Sequence, residues 1–157
     1  MTPGDWGRVS EILSAEILRG KSTFDRVCPT YEKWDSDHLK VCRFVYELDG
    51  NVAGWIALSP TSPKEVRSGV VEVSVYIDEA YWGRGIGTAL LQKVIEQSPS
   101  CGIWSLYSAI FPFNAASIAI HKKCGFREIG YRERIAKDRF GIWQDTVLFE
   151  LRLETDN

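Results

Sequence analysis

The sequence predicts an α/β (α+β) fold that mixes helices and strands in a single domain, residues 1–157. Three observations predict it. The stretch Val70–Leu91 reads as a strand, a glycine-rich loop and the start of a helix. Val71, Val73, Val75 and Ile77 alternate with Glu72, Ser74 and Tyr76, the period-two pattern of a half-buried strand. Ile86, Leu90, Leu91, Val94 and Ile95 then follow at helical spacing. Second, a chain of 157 residues with 45% apolar and 25% charged side chains has the size and mix of one ordinary globular domain. Third, no repeat, low-complexity tract or long linker divides it.

The elements follow in order. Asp5 is placed to cap a helix carrying Val9, Ile12, Leu13 and Ile17, which ends at Gly20. Lys21 to Pro29 reads as a loop, and a short helix runs from about Tyr31 to Leu39. Strands from Cys42 to Leu48 and from Val52 to Ser59 flank an Asp49-Gly50 hairpin turn. A loop with Pro60, Pro63 and Gly69 leads into the Val70–Ile77 strand. After the helix that follows the glycine loop come a strand from Ile103 to Ile110 and a helix opened by Asn114. Asn114 is a good N-cap, Lys122 and Lys123 suit the last turn, and Gly125 is placed as the left-handed residue beyond it. Strands Phe126–Ile135 and Trp143–Leu153 meet at a turn over Asp138–Gly141.

The glycine loop names a class of ligand. Gly83, Gly85 and Gly87 let the backbone turn tightly and approach a bound molecule. A loop opening a helix points free N–H groups and the positive end of the helix dipole at one spot, a design for phosphate. Gly83, Arg84, Gly85, Ile86, Gly87 and Thr88 are the candidate cradle. A Walker loop needs Gly-Lys-Ser/Thr, which is absent. A Rossmann fingerprint starting at Gly85 would put Leu90 where a small residue must pack. A glycine-rich turn before an ordinary helix is the plain alternative.

Trp82-Gly83-Arg84-Gly85-Ile86-Gly87 resembles the acetyl-CoA loop of the GNAT N-acetyltransferases, of form Arg/Gln-x-x-Gly-x-Gly/Ala. It departs at Trp82, which loses a side-chain contact but not the backbone cradle. Asn114-Ala-Ala-Ser-Ile-Ala-Ile-His121-Lys-Lys-Cys-Gly-Phe126 looks like the second CoA-contacting helix of that superfamily. Ser22-Thr23-Phe24, Trp55 to Pro60, Glu72-Val-Ser-Val-Tyr76, Phe111-Pro-x-Asn114 and Gly141-x-Trp143-x-Asp145 resemble its phosphinothricin and methionine sulfoximine N-acetyltransferase group. The resemblance implies a GNAT-type mixed, mostly antiparallel sheet with helices on both faces. It also implies acetyl-CoA as cosubstrate, a small-molecule amine acceptor and a homodimer. Such domains usually open with a strand before the first helix. This chain starts essentially at the helix, so either that edge strand is missing or Met1 is not the natural beginning.

The implied reaction is direct attack of a neutral amine on the acetyl thioester. The amine must lose a proton, the carbonyl oxygen must be stabilised, and the thiolate must be protonated. An α-amine with a pKa of roughly 8 is about one-tenth neutral at pH 7, so a modest base suffices. Glu72, mid-strand among valines, is the candidate base, its pKa raised by burial; the same place also suits a structural ion pair. His121 stands where much of the superfamily has the tyrosine assigned to protonate the thiolate, and the sulfoximine-type group resembles this chain in having histidine there. Histidine titrates near neutrality, though a helix histidine also serves simply as packing. The backbone of Val75, Tyr76 and Ile77 is expected to pair with the pantetheine arm as an added strand would. Asn114 and Lys123 are candidates for the far end of CoA. For the acceptor, Arg67 can grip a carboxylate or phosphinate with two hydrogen bonds or stand as a solvated charge. Glu65 and Val66 share its loop, and Phe24, with Trp55, is a candidate pocket wall or core residue.

Other classes are disfavoured. A net charge of −2 argues against nucleic acid or an anionic membrane as the main partner. No apolar run approaches the ~20 residues of a membrane span, and MTPGDWGRV lacks the features of a secretion signal, so the expected location is cytoplasmic. Cys28, Cys42, Cys101 and Cys124 show no C-x-x-C spacing, and the histidines are His38 and His121. No metal site is expected, and the thiols are expected to be free. Two alternative functions stay open: acetylation of another small amine, such as a polyamine or aminoglycoside, and a non-catalytic acyl-CoA-binding module. A polyamine site should be acidic, whereas the loop holding Lys64 and Arg67 carries basic groups.

Overall fold

The strand that precedes the glycine loop lies at the centre of the sheet, and the rest of the architecture is arranged about it. The computed structural model describes residues 1–155. Its helices are α1 (Trp6–Arg19), α2 (Tyr31–Asp37), α3 (Ile86–Gln97) and α4 (Ala115–Lys123). Its strands are β1 (Phe44–Leu48), β2 (Asn51–Pro60), β3 (Val70–Ile77), β4 (Ser105–Ile110), β5 (Arg127–Lys137) and β6 (Trp143–Arg152). The six strands form one sheet in the order β1-β2-β3-β4-β6-β5. Every neighbouring pair is antiparallel except β3–β4.

Local chemistry accounts for most boundaries. Asp49 and Gly50 both take positive φ, 52° and 80°, the primed turn whose twist suits a two-residue hairpin. β1 starts later than the sequence suggests because Cys42 has φ 55°, which breaks the extended run. Gly20, at φ 64°, stops α1. Asp5 precedes α1, yet its carboxylate accepts from the Thr2 N–H at 2.7 Å rather than capping that helix. The Pro3–Asp5 turn is what precedes α1, and among the described residues no strand lies before it. α4 is capped as its sequence predicts, with the Asn114 side chain accepting from the Ser117 N–H at 3.3 Å.

Two cores sandwich the sheet. On one face Val9, Ile12, Leu13 and Ile17 of α1 pack with Trp34 of α2 onto Val52, Trp55 and Ala57. Trp55 is 1% exposed and therefore a core residue. On the other face Leu90, Leu91 and Val94 of α3 pack onto Ile56, Leu58, Val71 and Leu106, with Phe126 and Phe149 closing the layer. This helix–sheet–helix layering leaves β3 covered on both faces.

One edge of β3 is open. Parallel pairing with β4 covers only Val70–Glu72 against Ser105–Tyr107. Beyond Glu72, β3 continues to Ile77 paired with β2 alone, while β4 stays with β6. The two central strands therefore fork, and the fork positions everything that follows.

Candidate active site at the strand fork

Hydrogen-bond alternation decides which backbone groups face the fork. Asp78 N–H donates to the Ala53 carbonyl on the β2 side at 2.8 Å. The Gly69 carbonyl instead accepts from Trp104 and Ser105, on the β4 side. Successive residues of a strand turn their N–H and C=O groups to opposite edges. Val75 and Ile77 thus direct theirs into the fork, and Tyr76 spends its own on its β2 partner Trp55. Of the three expected backbone partners, two are presented. The Ile77 carbonyl is already taken, because the Trp82 indole N–H donates to it at 3.1 Å.

The glycine loop stands at the fork's open end. Gly83 and Gly85 have φ of 79° and 76°, where side chains are strained. A Cβ at either would meet nothing within 4 Å, so backbone conformation, not crowding, demands glycine, and the space in front is empty of protein. Gly87 differs. A Cβ there would press on Ile120 Cδ1 at 3.0 Å, so its role is to let α4 approach α3. The N–H groups of Ile86, Gly87 and Thr88 open α3 and have no partner within the helix. A cavity of about 750 Å³ lies before them, walled by β3 from Val75 to Ile77 and by Asn114 and Ser117 of the α4 start. Glu16, Arg19 and Ser22, from α1 and the loop after it, also line it.

Arg19 is a cation that the sequence reading missed. Its guanidinium sits 5.0 Å from the Trp82 ring and pairs with Glu16 and Glu79. Arg84, by contrast, lies over the Tyr81 ring at 5.5 Å, and Lys123 is exposed in the last turn of α4. Neither Arg84 nor Lys123 lines the cavity.

Glu72 stands at the root of the fork, the last β3 residue paired with β4, opposite Tyr107. Alternation with Val71 puts it on the α1 face. Burial holds its carboxyl above the ordinary range, and Arg132 on β5 works against that shift. Burial also pushes the Tyr107 phenol up, and both Arg132 and Glu72 act on it. Tyr107 meets Glu72 only through strand pairing, and Arg132, on β5, acts on it through its charge across the sheet. Their one sequence signal is the strand alternation that turns Tyr107 away from Leu106 and Ser108.

His121 is placed differently from its expected part as an acid. It is 2% exposed and absent from the cavity wall. Nδ1 lies 2.7 Å from the Ser117 carbonyl, so Nδ1 carries the proton, and Nε2 accepts from the Ser108 hydroxyl at 2.9 Å. Phe126 packs edge-on at 4.9 Å. Burial lowers its pKa, against the Ser117 hydrogen bond, so the neutral ring is a satisfied core group.

Glu72, at the root of the fork, does not line the large cavity, and neither do the remaining expected residues. Glu65, Val66 and Arg67 form one exposed helical turn, and among the described residues Arg67 makes no ion pair. Phe24 meets Phe111 edge-on at 4.7 Å, and Phe111 meets Phe113 at 5.4 Å. These rings join the loop after α1 to the loop before α4.

With this geometry in view, the chain was compared with known proteins. Residues 7–126 match the model of the acetyltransferase (GNAT) family. A Bacillus subtilis protein provisionally named a phosphinothricin acetyltransferase is 38% identical over 108 residues, covering 67% of this chain and 66% of that protein. An L-methionine sulfoximine/L-methionine sulfone acetyltransferase of Pseudomonas aeruginosa is 35% identical over 105 residues, covering 67% of this chain and 60% of the relative. The matched stretches thus span just under two thirds of these relatives' length. A solved structure provisionally identified as a phosphinothricin N-acetyltransferase superposes with a TM-score of 0.86 at 33% identity, covering 98% of this chain and 96% of its own.

Proposed function

The chain belongs to the GNAT acetyltransferase family, and on that premise we propose that it is an N-acetyltransferase. It moves the acetyl group of acetyl-CoA to the amine of a small amino acid or amino-acid-like compound, of the phosphinothricin or methionine sulfoximine type. The fork carries this reading. Orphaned N–H groups and open positive-φ glycines lie at one end of it. A carboxylate raised above its ordinary range lies at the other. The N–H groups of Ile86 to Thr88 suit a diphosphate. Val75 and the Ile77 N–H suit the amides of an extended arm, read as an added strand.

Each residue then has a task. Glu72 takes the proton from the attacking amine, directly or through one water, and its raised pKa suits a base working near neutrality. The C–N bond forms as the C–S bond breaks. The Val75 N–H faces the developing oxyanion. His121 positions α4 against β4 through Ser108, and water protonates the departing thiolate, because the single ring N–H is committed to Ser117. Arg67 grips the acceptor's anionic group, with Glu65 and Val66 beside it and Phe24 as a wall. Relatives named for methionine sulfoximine and phosphinothricin support that acceptor class. The reading takes residues 1–157 as one catalytic unit that works as a homodimer, for which the exposed Tyr131, Ile142 and Trp143 of the β5–β6 hairpin region supply apolar surface. Light scattering at working concentration tests the dimer.

The test of function is thiol release from acetyl-CoA with methionine sulfoximine, phosphinothricin, spermidine and a peptide as acceptors. Preferential turnover of the two amino acids is expected. Faster acetylation of spermidine or the peptide would overturn the acceptor assignment. Tight acetyl-CoA binding with no turnover of any amine would leave a binding module instead.

A further inference from the structure

Two cysteines that the catalytic reading does not use meet at the far end of α3 from the glycine loop. Cys42 precedes β1, and Cys101 ends the one-turn helix Pro99–Cys101 that follows α3. Far apart in sequence, their sulfurs lie 3.9 Å apart. The Cys42 thiol lies inside, where the Ser98 hydroxyl donates to it at 3.8 Å. Cys42 is 6% exposed, whereas Cys101 is exposed. We propose that Cys42 and Cys101 are a redox modification site that forms a reversible intramolecular disulfide when the protein meets a hydroperoxide.

The roles differ because the environments differ. Burial pushes the Cys42 thiol up to about 11, with Ser98 pulling the other way, so Cys42 is a poor first target for an oxidant in solution. Cys101 is the accessible sulfur and reacts first: its thiol and hydrogen peroxide give a sulfenic acid and one water. The Cys42 sulfur then attacks the Cys101 sulfur, the S–O bond breaks, and the Cys42 proton leaves with hydroxide as a second water. The two thiols lose two electrons, which the peroxide gains, so the step balances. The sulfurs must close from 3.9 Å to about 2.05 Å, and the exposed Cys101 is the side chain that must move. The other thiols lack such a partner: Cys28 faces the carbonyls of Ser10 and Pro29, and Cys124 neighbours Lys123. The bond would tie the end of α3 to the entry of β1 and restrict the unfolded chain, so oxidation should stabilise the fold.

The experiment treats the full chain with a small excess of hydrogen peroxide and follows it by intact mass, free-thiol titration and peptide mapping without reductant. Expected are a mass lower by two hydrogens, two of the four thiols lost, a Cys42–Cys101 linked peptide, and a rise of several degrees in Tm that dithiothreitol reverses. Cys101→Ser, at an exposed site that tolerates the change, should abolish all four readouts; Cys42→Ser should do the same if it folds. The proposal is overturned if all four thiols stay titratable, if Cys101 proceeds to sulfinic acid while Cys42 stays free, or if the link joins two chains.

Discussion

The two ends of the fork are built from different materials. The glycine-loop end is backbone: positive-φ glycines, the orphaned N–H groups of α3 and the free edge of β3. The Glu72 end is side chains: a carboxylate on β3 paired opposite a phenol on β4, with the charge of a guanidinium on β5 acting on both. A backbone site depends on conformation more than on side-chain identity. A side-chain site depends on identity, and a single atom changed at Glu72 alters its chemistry. His121 sharpens the contrast, since it lies on α4, whose start walls the cavity, and yet is buried in the core.

The largest expected effect separates that core role from chemistry. His121→Ala removes a buried ring and orphans the Ser108 hydroxyl, so stability should fall by about 3–5 kcal/mol. His121→Asn, which keeps an N–H near the Ser117 carbonyl, should fold and hold kcat within about twofold, too little for a general acid. Because burial lowers the native His121 pKa, its stabilising share is complete above the unfolded value of about 6.5. That share is lost as pH falls below this toward the native value. Urea melts from pH 7 down to 5 should show the gap between wild type and His121→Asn narrowing with acid; a large kcat loss in the Asn variant would return His121 to the chemistry.

Glu72→Gln should lower turnover by ~10²-fold, about 2.7 kcal/mol in the barrier. The defect should shrink above the amine's pKa, where the acceptor arrives neutral. A defect constant from pH 6 to 10 would assign Glu72 to binding. Stability should move the other way. The native pKa of Glu72 is raised, chiefly by burial, so its favourable share exists only below the unfolded value of about 4.3 and is lost as pH rises through the native value. At pH 7 the Gln variant should therefore melt at or above the wild-type Tm, with the gap closing toward acid.

Gly85→Val tests the backbone end. A β-branched residue at positive φ costs about 1–3 kcal/mol of local strain, and its side chain would fill open space where the phosphate must approach. Acetyl-CoA affinity should fall about tenfold or more, with Glu72-dependent pH behaviour unchanged in what activity remains. Unaltered calorimetric affinity in a folded variant would show that the loop does not hold the diphosphate.

The smallest effect belongs to Arg67. Arg67→Ala should raise KM for methionine sulfoximine and phosphinothricin several-fold and leave acetyl-CoA affinity alone, with Lys rescuing only partly because it lacks the bidentate fork. An unchanged KM would move the anion contact elsewhere, and Arg132, whose charge acts on both Glu72 and Tyr107, is the cation to mutate next.

Local rules made the elements and the backbone half of the site legible in the sequence. Alternation wrote β3, helical spacing wrote α1 and α3, Asn114 and Gly125 bounded α4, and glycine chemistry marked the loop, because each signal acts within a few residues. The tertiary structure decided the rest, since its causes are pairings between distant segments. Parallel pairing that stops at Glu72 makes the fork. Strand order puts Arg132 in the same sheet as Glu72 and Tyr107, where its charge acts on both. Packing turns His121 from a titrating helix residue into a neutral core group. Cys42 and Cys101 become neighbours only once α3 lies on the sheet. Sequence thus determined which residues could bend, cap, cradle or titrate. Only the folded chain, by fixing burial and neighbours, determined which of them face the cleft and which way their titration shifts.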